Sequence, residues 1–362
     1  MNSTDLPVLT HREAVLDVYR YTPQIKDYDR FMHCGARWLP YTMYFHEKNF
    51  VSDAINTDML GFRFAHFCGR RYSVAELPYG APVSLLVGGS TALGVGACSD
   101  EATLASRLAV ETGEIWLNFA GRGFNAMQEL IMFLMHQGKF SRINRVALLS
   151  GVNTLALEGI PEEFSSDHGR YYYSFEFQHY MNLFNEDMKR KKNSFNVIGQ
   201  SRASVLSRLK FWERPGENPA DRVIDDSTVT LDERIERAAA QIAKALRQWA
   251  LLLADFKIRP IFFLQPLSYW CEKEMTREER GVFHAIDSCP NNFYRLFSKV
   301  LGKEVHQPFF EAIRCKTNDI VCHDMNQLLR SSPSMKETLF VDRVHFNDLG
   351  NAELGRLMAP LV

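Results

Sequence analysis

The chain has 362 residues, with 42 Lys and Arg against 43 Asp and Glu, a formal charge of -1, 46% hydrophobic content and 7 cysteines. At roughly 150 residues per domain this is enough for about two domains or one enlarged α/β domain, so a small disulfide- or metal-stapled scaffold is excluded. The balanced charge provides no global field for a phosphate backbone or an anionic bilayer, and no nucleic-acid partner is expected.

Met1 to Leu6 lack the basic and apolar regions of a secretory signal, and Glu13 and Asp17 follow soon after. No stretch reaches the ~18 uninterrupted apolar residues of a spanning helix; even 258–267 is broken by Arg259, Pro260 and Gln265. A cytoplasmic location is expected. Cys34, Cys68, Cys98, Cys271, Cys289, Cys315 and Cys322 are scattered, odd in number and without a C-x-x-C pair, which argues against a disulfide framework or zinc ribbon and for mostly buried thiols.

In chain order, residues 1–82 are rich in aromatics and Arg, carry the turn-like Asn56-Thr57-Asp58-Met59-Leu60-Gly61-Phe62-Arg63, and read as an extension packed on a core. Apolar runs then alternate with helical periodicities, the pattern of a parallel sheet covered by helices on both faces. The run 83–87 ends in Gly88-Gly89-Ser90, 115–119 ends in Gly121-Arg122-Gly123, and 145–149 ends in Ser150-Gly151. Leu104 and Leu108 mark a helix after the first run, and Phe124, Met127, Leu130 and Leu134 mark one after the second. An insertion, 155–230, contains Tyr171-Tyr172-Tyr173, the basic run 189–192 and a Pro/Gly-rich stretch at 214–220. The apolar stripe of 231–256 predicts a long helix feeding a fourth strand, 258–264, which ends in Gln265-Pro266. Thr276 and Glu279 have the spacing of a capping box.

In open parallel sheets ligands bind at the carboxyl ends of the strands. Ser90, Gly123 and Asn153 fall there, and Asp342-Arg343-Val344-His345 follows the short apolar 339–341. A hydroxyl nucleophile, a backbone donor, a side-chain amide and an Asp/His pair are the parts of a serine acyl hydrolase. Nucleotide readings of the glycine-rich turn 88–96 fit less well. A P-loop needs a Lys that is missing, and a dinucleotide loop needs a glycine where Ser99 stands. A nucleophile elbow of the G-x-S-x-G type meets Ala92 at its last position.

The order of these blocks resembles the SGNH hydrolases, or GDSL esterase/lipase superfamily. Gly88-Gly89-Ser90-Thr91 is similar to the block with the nucleophile, and Asn118 to Gly123 to the block whose glycine amide joins the oxyanion hole. Gly151-Val152-Asn153-Thr154 is similar to the block whose asparagine supplies the side-chain donor, and Asp342 to His345, with Asn347 and Gly350, to the terminal D-x-x-H block. Asn56 to Arg63 resembles a stretch preceding the core in bacterial members linked to surface polysaccharides. The resemblance spans 83–362 and implies a three-layer α/β/α domain with a flavodoxin-like parallel sheet. It implies catalysis by Ser90, Asp342 and His345, an oxyanion hole of Ser90, Gly123 and Asn153, and no metal or organic cofactor. The implied substrate is a small-molecule acyl ester, with O-acetylated carbohydrate first among the classes. Gly89 and Thr154 stand where the family usually has Asp, and Phe346 where Pro is common. Two other readings stay open: an acyltransferase using the same acyl-enzyme, and a non-catalytic binding protein on the same fold.

Three further features are weighed against plainer explanations. Cys322-His323-Asp324 reads as a loop or helix end rather than a metal site, Lys189 to Lys192 as a solvated face, and Tyr171 to Tyr173 as packing or a pocket wall.

Overall fold

A capping box opens the first helix: Thr10 accepts from the Glu13 amide while the Glu13 carboxylate accepts from Thr10, starting α1 (His11–Tyr21). The structure is a computed structural model, described for residues 9–33, 37–162, 165, 169–174, 177, 181, 183–189, 229–289 and 294–362. After α1 come α2 (Ile25–His33) and two short antiparallel pairs, β1 (Arg37–Leu39) with β2 (Met43–Phe45) and β3 (Ala65–Phe67) with β4 (Arg70–Tyr72).

The apolar runs form the main sheet, β5 (Pro82–Gly88), β6 (Trp116–Ala120), β7 (Arg142–Ser150), β8 (Pro260–Leu264) and β9 (Val321–Asp324), in the order β6-β5-β7-β8-β9. Every pairing in it is parallel. The helices are α3 (Ser90–Leu93), α4 (Leu104–Thr112), α5 (Ala126–His136), α6 (Val152–Leu157) and α7 (Leu231–Leu252). They continue with α8 (Arg277–Ser288), α9 (Tyr294–Ser298), α10 (Lys303–Lys316), α11 (Met325–Arg330) and α12 (Asp348–Met358).

Alternation along the strands divides the core in two. Val83, Leu85 and Val87 with Val146, Leu148, Phe262 and Leu264 face α5, α7 and α10 through Phe133, Trp249 and Phe309. Leu86, Ala147, Leu149 and Phe263 face α4, α8, α11 and α12 through Leu108, Phe283, Met325 and Leu354. The result is the expected three-layer α/β/α arrangement. Each wholly buried Leu or Val contributes roughly 1.5–3 kcal/mol, and Leu85, Leu86 and Val87 are all at 0% exposure.

Three expectations shift. The long helix stops at Leu252 and gives way to a 3-10 turn, Ala254–Phe256, with Lys257 at φ 57 reversing the chain into β8. A fifth strand, β9, joins the sheet; among the described residues it pairs with β8 alone, as an edge strand, and its half-exposed residues need no continuous apolar run. The cysteines are not mostly buried: Cys68, Cys98 and Cys315 are exposed and only Cys271 is buried among those described. The stretches 190–192 and 214–220 lie outside the described residues. Among the described residues no helix is long and apolar enough to cross a membrane.

Candidate active site

The order β6-β5-β7 makes the carboxyl end of β5 the point where successive connections leave in opposite directions, the place where ligands bind in such sheets. β5 ends at Gly88, and half-buried Ser90 begins α3 two residues later, with Gly89 between them. Asn118 on β6 steadies this turn by donating to the carbonyls of Ala92 and Leu93 at 3.3 and 3.0 Å.

The structure brings Ser90, His345 and Asp342 into one hydrogen-bonded line. His345 Nε2 lies 2.7 Å from Ser90 Oγ, and Nδ1 lies 2.6 Å from Asp342 Oδ2. A carboxylate can only accept, so Nδ1 carries the proton and Nε2 presents its lone pair to the serine hydroxyl. The other Asp342 oxygen accepts the amides of Val344 and His345 at 2.7 and 2.8 Å. Burial alone would raise the Asp342 carboxyl, but the His345 ring and these hydrogen bonds outweigh it and hold it below the ordinary carboxylate range. The loop itself is closed by a Phe340–Phe346 bridge and by Glu279, whose Oε1 accepts the amides of Leu339 and Phe340 at 3.0 and 3.1 Å. The capping box read from Thr276 and Glu279 is present, and its glutamate also holds the loop carrying the histidine.

Asn153 opens α6 beside this line, its Nδ2 donating to the Phe124 carbonyl at 3.0 Å. A Cβ on Gly89 would lie 2.5 Å from that Nδ2, so the glycine lets the amide lie against the Ser90 turn. Gly123 has φ 69, and a Cβ there would lie 2.7 Å from both Tyr172 Cδ2 and Tyr44 Oη, so only glycine fits. The Thr154 hydroxyl is engaged elsewhere, accepting the Ala126 amide at 3.1 Å, one of the unpaired donors at the start of α5.

Residues 1–82 reach this site through Arg63, which in the sequence stands out only as the end of a turn-like motif. Its buried guanidinium pairs with Asp100 at 2.8 Å and donates to the carbonyls of Leu93 and Gly94 at 3.1 and 2.9 Å, capping the end of α3. No local pattern marks it, because these partners lie 30 residues or more along the chain. Gln265 had a signal in its place at the end of a strand; its side chain donates to Thr91.

Cys322, His323 and Asp324 do not form a cluster. Cys322 lies against the Thr317 hydroxyl, His323 stacks on Phe263, and Asp324 pairs with His306 at 2.8 Å. Lys189 is exposed and pairs with Glu186 one turn earlier. Tyr171 and Tyr172 are buried, while Tyr173 stands edge-on to Tyr44 and Trp38. The tyrosine run is therefore largely packing around Gly123.

Fold and site together define an α/β protein with a Ser–His–Asp line at the switch point of a parallel sheet. No known family profile and no curated protein matches the chain. Among solved structures it is similar to the acetyl xylan esterase AlAXEase, at 11% identity and a TM-score of 0.37 over 77% of this chain and 99% of that one. It is similar to the lipase Lip_vut3 from a goat rumen metagenome, at 13% identity and a TM-score of 0.37 over 77% and 96%. A lipase/acylhydrolase from Enterococcus faecalis matches at 12% identity and a TM-score of 0.32 over 77% and 94%. The functional reading rests on the site's own geometry.

Proposed function

We propose that the protein is a serine ester hydrolase of the SGNH type. The observation that carries this reading is the continuous line Asp342–His345–Ser90, with contacts of 2.6 and 2.7 Å. Ser90 Oγ attacks the ester carbonyl carbon as His345 Nε2 takes its proton, and Asp342 stabilises the imidazolium and holds the ring in the productive tautomer. The Ser90 and Gly123 amides and the Asn153 side chain receive the negative charge on the carbonyl oxygen. Collapse expels the alcohol, which receives the proton from His345. Water, activated by the same ring, then releases the acid and frees Ser90.

The substrate class we favour is a small acyl ester, O-acetylated carbohydrate first. Residues 83–362 are the catalytic unit, and the described residues of 1–82 are a region packed against it. Labelling by a fluorophosphonate and hydrolysis of short-chain nitrophenyl esters test the reading: both occur in wild type and both vanish in Ser90→Ala. Turnover surviving that substitution would remove Ser90 from its role. Product partition with an added alcohol separates hydrolysis from acyl transfer.

A further inference from the structure

The backbone of Arg122, the residue before Gly123, is gripped on both sides from outside the hydrolase blocks. His46, immediately after β2, is buried, and its Nε2 accepts the Arg122 amide at 2.9 Å. Tyr44, two residues earlier, donates its hydroxyl to the Arg122 carbonyl at 2.8 Å. Both backbone polar groups of Arg122 are thus held by neighbouring side chains of one segment.

That segment is itself braced. His46 Nδ1 lies 3.1 Å from the Gly61 carbonyl, which can only accept, so Nδ1 carries the proton and Nε2 the lone pair. Gly61 belongs to a turn closed by Asp58, whose carboxylate accepts the amides of Leu60, Phe62 and Ala75 at 2.7, 3.0 and 2.9 Å. The ring stacks on Phe45 and leans on Phe31, at 4.4 and 5.4 Å between centroids. Burial, reinforced by the Arg122 charge, pushes the His46 ring down to about 3, so it stays neutral and its lone pair stays available. A rigid path therefore runs from the Asp58 turn through His46 to the peptide preceding the Gly123 amide.

We propose that His46 and Tyr44 are positioning residues for the oxyanion hole, clamping the two peptides that flank the Arg122 Cα, the second of which carries the Gly123 amide, so that this amide is set before the transition state forms. This rests on the Ser90 reading above and adds Tyr44 and His46, from the region before the catalytic unit, to the residues that serve it. An oxyanion donor acts on the transition state more than on the bound ester, so its displacement is read in kcat and not in KM.

The test compares His46→Phe, which keeps the ring packing but offers no acceptor, with His46→Gln, which offers an amide oxygen to the Arg122 N–H. Rates are normalised to sites titrated by a fluorophosphonate. In His46→Phe, kcat falls on the order of 10²-fold with KM within about twofold. A boronic acid, which forms a tetrahedral adduct, loses affinity in proportion to kcat. His46→Gln recovers part of both, and Tyr44→Phe shows a smaller loss of about fivefold. Amide exchange gives a readout independent of chemistry: the Arg122 N–H is protected in wild type and exposed in His46→Phe. Unchanged kcat per titrated site, equal losses in the Phe and Gln variants, or unchanged Arg122 protection would each overturn the clamp. Failure of the wild type to label would instead count against the Ser90 reading, while the exchange result still judges the clamp.

Discussion

The side-chain amide of Gln265 donates to the Thr91 hydroxyl at 2.7 Å, tying the end of β8 to the residue that follows Ser90. Thr91 passes the link on by donating to the Val344 carbonyl at 3.2 Å, one residue before His345. The Gln265 backbone is itself held, its amide donating to Ser150 at 3.0 Å and its carbonyl accepting from Asn326 at 3.2 Å. One hydroxyl therefore joins the nucleophile turn, the histidine loop and the centre of the sheet. Thr91→Val keeps the shape and strands the buried Gln265 amide and the half-buried Val344 carbonyl, at a cost of about 1–3 kcal/mol. Thermal unfolding should show that loss, and kcat should fall several-fold while Ser90 still labels. A variant with unchanged melting temperature and rate would show that the link is idle.

Asp342→Asn preserves the size of the side chain but offers an N–H to a ring nitrogen that already carries its proton. The ring is then driven toward the tautomer that cannot accept from Ser90, and kcat should fall by about 10⁴. The substitution also has a pH signature. Because the Asp342 carboxyl is held below its ordinary value, its contribution to stability is fully present above the unfolded carboxylate value and is lost as pH falls through the lowered folded one. Wild type should therefore lose this contribution on the acid side, and Asp342→Asn should lack that part of the slope in unfolding measured from about pH 5 down to about pH 2.

Glu129 on α5 presents the opposite case. Its Oε1 accepts from Ser150 at 2.6 Å, while Oε2 has no partner among the described residues. Burial raises the carboxyl to about 8, with the Ser150 hydrogen bond working against it. The folded state thus keeps a proton that the unfolded chain has given up, so stability is greatest below the unfolded value and declines as pH rises toward 8. Glu129→Gln, neutral at every pH, should flatten this decline and raise stability at pH 8 by an amount on the order of a few kcal/mol. Parallel curves for the two proteins between pH 5 and 8 would rule out the neutral carboxyl.

The parts legible in the sequence were those whose cause is local. Apolar runs of 83–87 or 145–149 mark buried parallel strands because both faces must be covered, and Thr276 with Glu279 marks a helix start because capping acts within three residues. The places of Ser90, Gly123 and Asn153 just beyond strand ends were legible because the apolar runs before them mark the strands, and Asp342 and His345 stood out as a pair three residues apart. His46 and Arg63 were not, since each acts on a backbone group brought near only by the tertiary fold; His46 and Arg122 are 76 residues apart. β9 was missed for a different reason: an edge strand with a Val-Cys-His-Asp sequence carries neither a long apolar run nor clean alternation.

Gly89 makes a prediction of its own. Gly89 has φ -87 and ψ -152, so a side chain meets no backbone strain there. What it meets is Asn153 Nδ2, at 2.5 Å from the added Cβ. Gly89→Ala should therefore fold with a melting temperature near wild type, yet push the Asn153 amide off the Phe124 carbonyl and away from the Ser90 turn. With Asn153 as the oxyanion donor proposed above, its displacement costs about 10²-fold in rate, and Gly89→Asp, which installs the residue usual in the SGNH block that this turn resembles, should lower kcat rather than raise it. Coupling decides the cause: if the effect runs through Asn153, Gly89→Ala adds little to the loss already present in Asn153→Ala. Losses that multiply in the double variant would mean that residue 89 acts on Ser90 by another route.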